Sequence, residues 1–257
     1  MINPTIPQPI RVVVMSDPHL SCQNERHLQQ WQNALLMAKN QAPDLYLIAG
    51  DLTEKGLKEE AELFKQSLAG LDKPCLFVPG NHDLGNKRLN GKEGEISSLK
   101  IKNYRTNFGP DFLAKNYFGW QFICLNSQLL QSGLKEEKKQ WEFFKDQLAI
   151  DCPKIILMHT PLYINSPDEA GGSYWNAEPE IRQEMLTIIR DKQVLALISG
   201  HLHRLVINQG VSLFLSVPPL SFGLPDFHLG QSFLTLDLDL RNLHWEMHSI
   251  ESLYTKI

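Results

Sequence analysis

Short apolar runs alternate along this chain with stretches in which apolar residues return every three or four positions. Ile10–Ser16, Leu45–Ala49, Cys75–Val78, Tyr117–Leu125, Lys154–Met158 and the run from Val194 up to Gly200 read as strands. The first is a near-continuous β-branched series suited to burial on both faces. Between them, Leu28, Trp31, Leu35 and Ala38 share a helical face behind a capping Asn24. Ala61, Phe64 and Leu68 share another, stopped by Gly70. Ser97–Phe108, Lys135–Ile150 (Trp141, Phe144 and Leu148 inward) and Pro179–Lys192 read as further helices, and Leu84–Gly94 as a loop. The opening β-α-β-α-β order implies parallel strands joined by right-handed crossovers. The pattern then changes. Val206–Asn208, Leu213–Val217, Phe233–Asp239 and Leu243–His248 are short runs between turn residues. Leu234 to Leu240 alternates apolar with Thr and Asp, as a half-buried antiparallel strand does. No linker-like stretch divides the chain. The expectation is an α/β fold with residues 10–257 as a single domain, two packed sheets with helices outside, and residues 1–9 as an N-terminal extension.

Composition narrows the functional classes. A chain of 257 residues is long enough to bury a sizeable core, and its net charge of −4 provides no basic field to draw a polyanion. Cys22, Cys75, Cys124 and Cys152 are scattered without a C-x-x-C pair, so they read as free thiols in a reducing compartment. Residues 1–9 carry three prolines and no apolar core of a signal peptide, and no apolar run approaches the ~18 residues of a membrane span. These features predict a cytoplasmic protein with neither a nucleic-acid nor a membrane partner.

The chemistry gathers at the strand ends, where α/β proteins place their sites. Asp17-Pro18-His19 follows the first strand, Gly50-Asp51 the second and Gly80-Asn81-His82-Asp83 the third. His159-Thr160-Pro161 and Gly200-His201-Leu202-His203 follow two later strands. Extended backbone sends alternate side chains the same way, so His201 and His203 are expected to face one point, with Gly200 letting the chain approach a ligand. Asp17, His19, Asp51, Asn81, His159, His201 and His203 together offer two carboxylates, one amide oxygen and four imidazoles, and no sulfur. That set suits manganese, iron, zinc or cobalt. It is too large for one catalytic ion and suits two if one carboxylate bridges, for which Asp51 is the natural candidate.

In this order the motifs D-P-H, G-D-L-T-E-K-G, G-N-H-D, H-T-P and G-H-L-H resemble the calcineurin-like metallophosphoesterase superfamily. Tyr174-Trp175-Asn176 and its spacing to G-H-L-H are similar to the cyclic-nucleotide-phosphodiesterase-like and CSTP-type phosphatase branches. The resemblance implies a four-layer α/β/β/α sandwich, two mixed sheets flanked by helices. It implies two divalent or trivalent metal ions (Mn, Fe, Zn or mixed). Asp17, His19, Asp51 and His203 would hold one ion, and Asp51, Asn81, His159 and His201 the other. It makes His82 the catalytic histidine and Asp83 the residue that orients it. The implied activity is hydrolysis of small phosphodiesters or phosphomonoesters, nucleotides included, by attack of a metal-bridging hydroxide. Phosphoprotein phosphatase, DNA nuclease and metal-free scaffold are the alternatives.

Features outside the motifs bear on substrate. Lys55 stands where phosphoprotein phosphatases carry an arginine, and it offers a point charge in place of a bidentate fork. Tyr163, Tyr174, Trp175, Phe222 and Phe227 lie on loops that can either rim the metals or pack against the body. Lys87, Arg88 and Lys92 read as a solvated loop, His228, His244 and His248 as surface or packing residues, and Cys22 as lacking a base.

Overall fold

The computed structural model describes residues 7–88, 94–222, 231–239 and 242–250. One sheet runs in the order β11-β10-β1-β2-β3, made of Leu243–Ser249, Ser232–Leu238, Ile10–Met15, Leu45–Ile48 and Cys75–Phe77. The other runs β4-β5-β6-β7-β9-β8, made of Leu113–Tyr117, Trp120–Cys124, Lys154–Leu157, Val194–Ser199, Leu213–Ser216 and Val206–Gln209. β1, β2 and β3 are parallel, as are β5, β6, β7 and β9, while β10, β11, β4 and β8 pair antiparallel at the margins.

Strand alternation explains the layers. Val12, Val14, Leu45, Leu47, Leu234 and Leu236 point from the first sheet onto Phe122, Ile155, Leu157, Ala196 and Ile198 of the second. The opposite residues, Val13, Met15, Tyr46 and Ile48, pack under helices α1 (Glu25–Lys39), α2 (Lys58–Leu68) and α4 (Ser98–Phe108) through Trp31, Phe64 and Tyr104. On the far side, Ile123, Ile156 and Leu197 meet α5 (Lys135–Leu148) and α6 (Pro179–Ile189) through Phe144, Leu148, Ile181 and Met185. Three apolar interfaces therefore separate four layers, the α/β/β/α sandwich expected. Asn24 caps α1 as predicted, its side chain accepting from the His27 N–H. A single turn, α3 (Asn81–Leu84), follows β3 directly.

Two readings need correction. The strand predicted over Tyr117–Leu125 spans a hairpin turn: Tyr117 ends its first arm and Trp120–Cys124 form the second. Phe118 and Gly119, both at positive φ, turn the chain from β4 into β5. β4 escapes the pattern because Lys115 and Asn116 leave it largely polar at the sheet edge. β10 is not half-buried. It lies between β1 and β11 and is covered on both faces as far as Leu236, Thr235 included; only Asp237 is partly exposed. The half-buried strand is β11, which alternates Leu243, Trp245 and Met247 inward with exposed His244 and Glu246.

The carboxyl ends of the two sheets converge, and glycine permits it from both sides. A Cβ on Gly200, after β7, would stand 1.8 Å from Ser16 Oγ and 2.8 Å from the Ala49 carbonyl oxygen of the other sheet. A Cβ on Gly50, after β2, would stand 2.5 Å from His159 Nδ1. What approaches Gly200 closely in the fold is thus a neighbouring strand end. Gly200→Ala is expected to cost about 1–3 kcal/mol or more by overpacking, read as a lowered urea midpoint; unchanged stability would contradict the close approach.

Candidate metal centre

Asp17, His19, Asp51, Asn81, His159, His201 and His203 meet at this convergence, each 7% exposed or less. Five of them, Asp17, His19, Asp51, His201 and His203, have φ between 45° and 69°. Non-glycine residues rarely occupy this region, and each such residue costs about 1–3 kcal/mol. Half of the ten described non-glycine residues of this kind lie in the cluster. The His201–His203 segment is therefore not extended. Leu202 N–H donates back to the Gly200 carbonyl (2.8 Å), the chain turns, and the two rings go to different places. The expectation that they face one point does not hold.

Two groups result, Asp17–His19–His203 and Asp51–His159–His201, with the donor atoms of each within 4.8 Å of one another. In the first, His203 Nε2 is 3.3 Å from both His19 Nε2 and Asp17 Oδ1. In the second, His159 Nε2 is 3.2 Å from His201 Nδ1, 3.1 Å from Asn81 Oδ1 and 3.3 Å from Asp51 Oδ2. The same Asp51 Oδ2 is 3.5 Å from His19 Nε2, so one carboxylate oxygen faces both groups.

Each donor is pinned by its other end. His159 Nδ1 bonds the Ala49 carbonyl (2.7 Å), His203 Nδ1 the Phe222 carbonyl (2.9 Å), His201 Nε2 the Tyr174 carbonyl (3.1 Å) and His19 Nδ1 the Glu54 carboxylate (3.1 Å). These oxygens accept, so those nitrogens carry the hydrogen and the opposite nitrogen of each neutral ring presents a lone pair. The carboxylates divide likewise. Asp51 Oδ1 accepts from the His82 N–H (2.9 Å), and Asp17 Oδ2 from the His201 N–H (3.1 Å) and the Ser16 hydroxyl. With all four rings neutral, the centre is lined by acceptors alone. Such a set repels itself unless positive charge lies within it, and its N/O chemistry fits two divalent cations.

Protons respond to the same field. Burial pushes the His159 imidazolium down, but Asp51 outweighs it and raises the group to about 9. Burial and the His159 charge together drive His201 to about 3, so its ring is neutral near physiological pH. Burial would lift Asp17, yet His203 holds it at about 2.

His82 is half-buried at the edge of the first group, its ring centroid 4.4 Å from that of His19. Its Nδ1 bonds the Glu54 carbonyl (2.8 Å). The hydrogen bonds of Asp83 go to the turns around it. Its buried carboxylate accepts from the N–H groups of Leu52 (3.1 Å), Thr53 (2.9 Å) and Gly80 (2.8 Å) and from the Thr53 hydroxyl (2.7 Å), which ties the Asp51 turn to the Asn81 turn. Burial and the Asp51 charge push this carboxyl up to about 6. The residue that sequence reasoning passed over is Glu54, whose carboxylate holds His19 while its carbonyl holds His82. Its place in G-D-L-T-E-K-G was the available cue.

The flanking residues divide. Phe222 lies against His203 and His19 (centroids 4.7 and 5.2 Å), and Tyr174 and Trp175 lie against His201 (4.7 and 5.6 Å), so these three rim the groups. Tyr163 is buried against Phe214 and only packs its loop. Lys87 is not a solvated loop residue: it is buried, donating to Glu178 (2.9 Å) and the Asn176 carbonyl. Arg88 is exposed. His248 stacks on Phe233, and Cys22 is exposed. Phe227, His228 and Lys92 lie outside the described residues.

A family model for the calcineurin-like phosphoesterase domain matches residues 10–205. The human "Serine/threonine-protein phosphatase CPPED1" is 27% identical over 182 residues, covering 64% of this chain and 55% of that protein. The chain thus spans about half the length of the curated relatives of that name. The "Probable glycerophosphodiester phosphodiesterase GpdQ" of Arcobacter nitrofigilis is 28% identical, covering 75% of this chain and 71% of that one. Among solved structures, a dimetal phosphatase from Danio rerio superposes with a TM-score of 0.62 at 12% identity, over 92% of this chain and 93% of that one, a likeness of fold.

Protons and cations compete for the same atoms here. A proton held on His159 up to about pH 9 must leave before a cation takes Nε2. Manganese affinity is therefore expected to rise about tenfold per pH unit below that value for each proton displaced. Calorimetric titration in buffers of different ionisation enthalpy counts those protons; an affinity independent of pH would contradict the Asp51–His159 coupling.

Proposed function

The chain belongs to the calcineurin-like phosphoesterase family, and on that footing we propose that it hydrolyses small phosphoesters, diesters or monoesters, using two cations. The observation that carries this reading is the shared carboxylate: Asp51 Oδ2 faces both donor groups, at 3.5 and 3.3 Å. Asp17, His19, Asp51 and His203 would hold one cation, and Asp51, Asn81, His159 and His201 the other. Manganese, iron, zinc or a mixed pair suits these N/O donors. Cations bound there would neutralise phosphoryl charge and bring the pKa of a water toward neutrality.

The chain's own residues supply the rest. His82 is anchored through Nδ1 to the Glu54 carbonyl; with both ring nitrogens protonated, Nε2–H would give its proton to the departing ester oxygen and leave the neutral ring. Asp83 holds the two turns that carry Asp51 and His82 at a fixed separation. Trp175 (40% exposed) and Phe222 (43%) offer flat apolar surface on either flank, suited to an aromatic or nucleoside leaving group. The net charge of −4 favours small substrates over nucleic acid. A second reading, phosphoprotein phosphatase, draws on the similarity to human CPPED1. We read residues 10–257 as one domain because both sheets share one inter-sheet core. We place it in the cytoplasm on its four free cysteines. Among the described residues no helix is long and apolar enough to cross a membrane.

Two assays test this. Bis-p-nitrophenyl phosphate or p-nitrophenyl phosphate should be turned over after manganese loading and not after chelation. A faster diester supports a phosphodiesterase, a faster monoester the phosphatase reading. His82→Ala should lower kcat about 100-fold with metal content and melting temperature retained; full turnover in a folded His82→Ala sample would remove His82 from the reaction.

A further inference from the structure

Tyr174 touches two of the four donors in the Asp51–Asn81–His159–His201 group. Its phenol oxygen accepts from Asn81 Nδ2 (3.0 Å), which turns Asn81 Oδ1 toward His159. Its carbonyl accepts from His201 Nε2 (3.1 Å), which leaves Nδ1 as that ring's donor. Its ring packs on His201, with centroids 4.7 Å apart. Among the described residues, no donor of the Asp17–His19–His203 group hydrogen-bonds to this loop: His19 leans on Glu54, His203 on Phe222, and Asp17 on Ser16 and His201.

The loop that carries Tyr174 has no regular structure, yet buried charges shape it. Arg182, 0% exposed, donates to the carbonyls of Pro167 (2.8 Å), Glu169 (2.8 Å) and Ala177 (3.2 and 3.0 Å). Lys87 reaches across from the chain after α3 to the Asn176 carbonyl and Glu178. Glu169 accepts from the N–H groups of Ile164 (3.0 Å), Asn165 and Ser166 (3.1 Å) and from Asn176 Nδ2 (2.6 Å). Burying a guanidinium and an ammonium is costly unless their hydrogen bonds are met, and here most are met by loop carbonyls. The buried charge is committed to holding this one segment in place.

We infer that Tyr174 is a positioning residue for one cation of the pair, and that the loop braced by Arg182 and Lys87 sets how tightly that cation, and not its neighbour, is held. This rests on the two-cation reading above. Removing the outer hydrogen-bond partner of a metal ligand typically weakens metal affinity by about ten- to hundredfold. Tyr174→Phe removes only the phenol oxygen and keeps the carbonyl and ring. Arg182→Met removes the brace.

The test is manganese content after equilibrium dialysis against graded Mn2+, with thermal melting recorded on each sample. The wild type should retain two equivalents at a concentration where Tyr174→Phe and Arg182→Met retain one, and excess manganese should restore the second. Tyr163→Phe, a change at a packing tyrosine near the same loop, should retain two. A Tyr174→Phe protein that keeps both equivalents with wild-type affinity, or loses both together, overturns the inference. A wild type that never binds more than one equivalent overturns the two-cation reading itself and takes the inference with it. Because Tyr174→Phe is isosteric apart from one oxygen, an unchanged melting temperature separates lost positioning from lost folding.

Discussion

Seven acceptors can share one small space only because the two sheets touch at their carboxyl ends, and that touch depends on two hydrogen atoms in place of two Cβ atoms. Gly200 lets the β7 turn lie on Ser16 and Ala49, and Gly50 lets the β2 turn lie on His159. The contact is reciprocal. Each sheet supplies the glycine against which the other sets a functional turn. Asp51 from one sheet and His159 and His201 from the other thereby become neighbours without any segment crossing the inter-sheet core.

Assembling this lining runs against ordinary folding preferences. Five donor residues accept strained backbone, and carboxylates and imidazoles lose water. The compensation is geometric. Backbone N–H groups, carbonyls and Glu54 take one end of nearly every donor, so each inward atom has little freedom to turn away. Three apolar interfaces supply the stability against which the strain is set. Preorganisation of this kind means that a cation meets a pocket already shaped for it, so little of its binding energy is spent on ordering side chains.

Much of this was legible in the sequence, and what was not has physical causes. Strand-end placement of Asp17, Asp51, Asn81, His159, His201 and His203 follows from apolar runs that stop abruptly, and the layers follow from their number and order. The direction in which His201 and His203 point was not legible, because positive φ at a histidine is a tertiary consequence of the turn at Gly200. How Asp83 acts was not legible, because proximity in sequence to His82 says nothing about which N–H groups its carboxylate meets across the fold. β4 was missed because an edge strand need not be apolar, and β10 was read as half-buried because a threonine in the pattern does not reveal that its hydroxyl meets a partner, here His248 Nε2, when buried. The buried framework of Arg182, Lys87 and Glu169 had no periodic trace at all.

The place of β10 has a consequence for how the chain reaches this state. Arg11 and Asp237 are 226 positions apart, yet they pair at 2.7 Å across adjacent strands. Every donor of the centre lies between residues 17 and 203, so the donor set is complete before the segment that closes the first sheet is made. Until Ser232–Leu238 docks, β1 presents a bare row of peptide groups above an apolar face. Closure of that gap is a long-range event of high contact order, slow by nature. During synthesis there is therefore an interval in which every donor residue has been made while the β1 edge still lacks its partner.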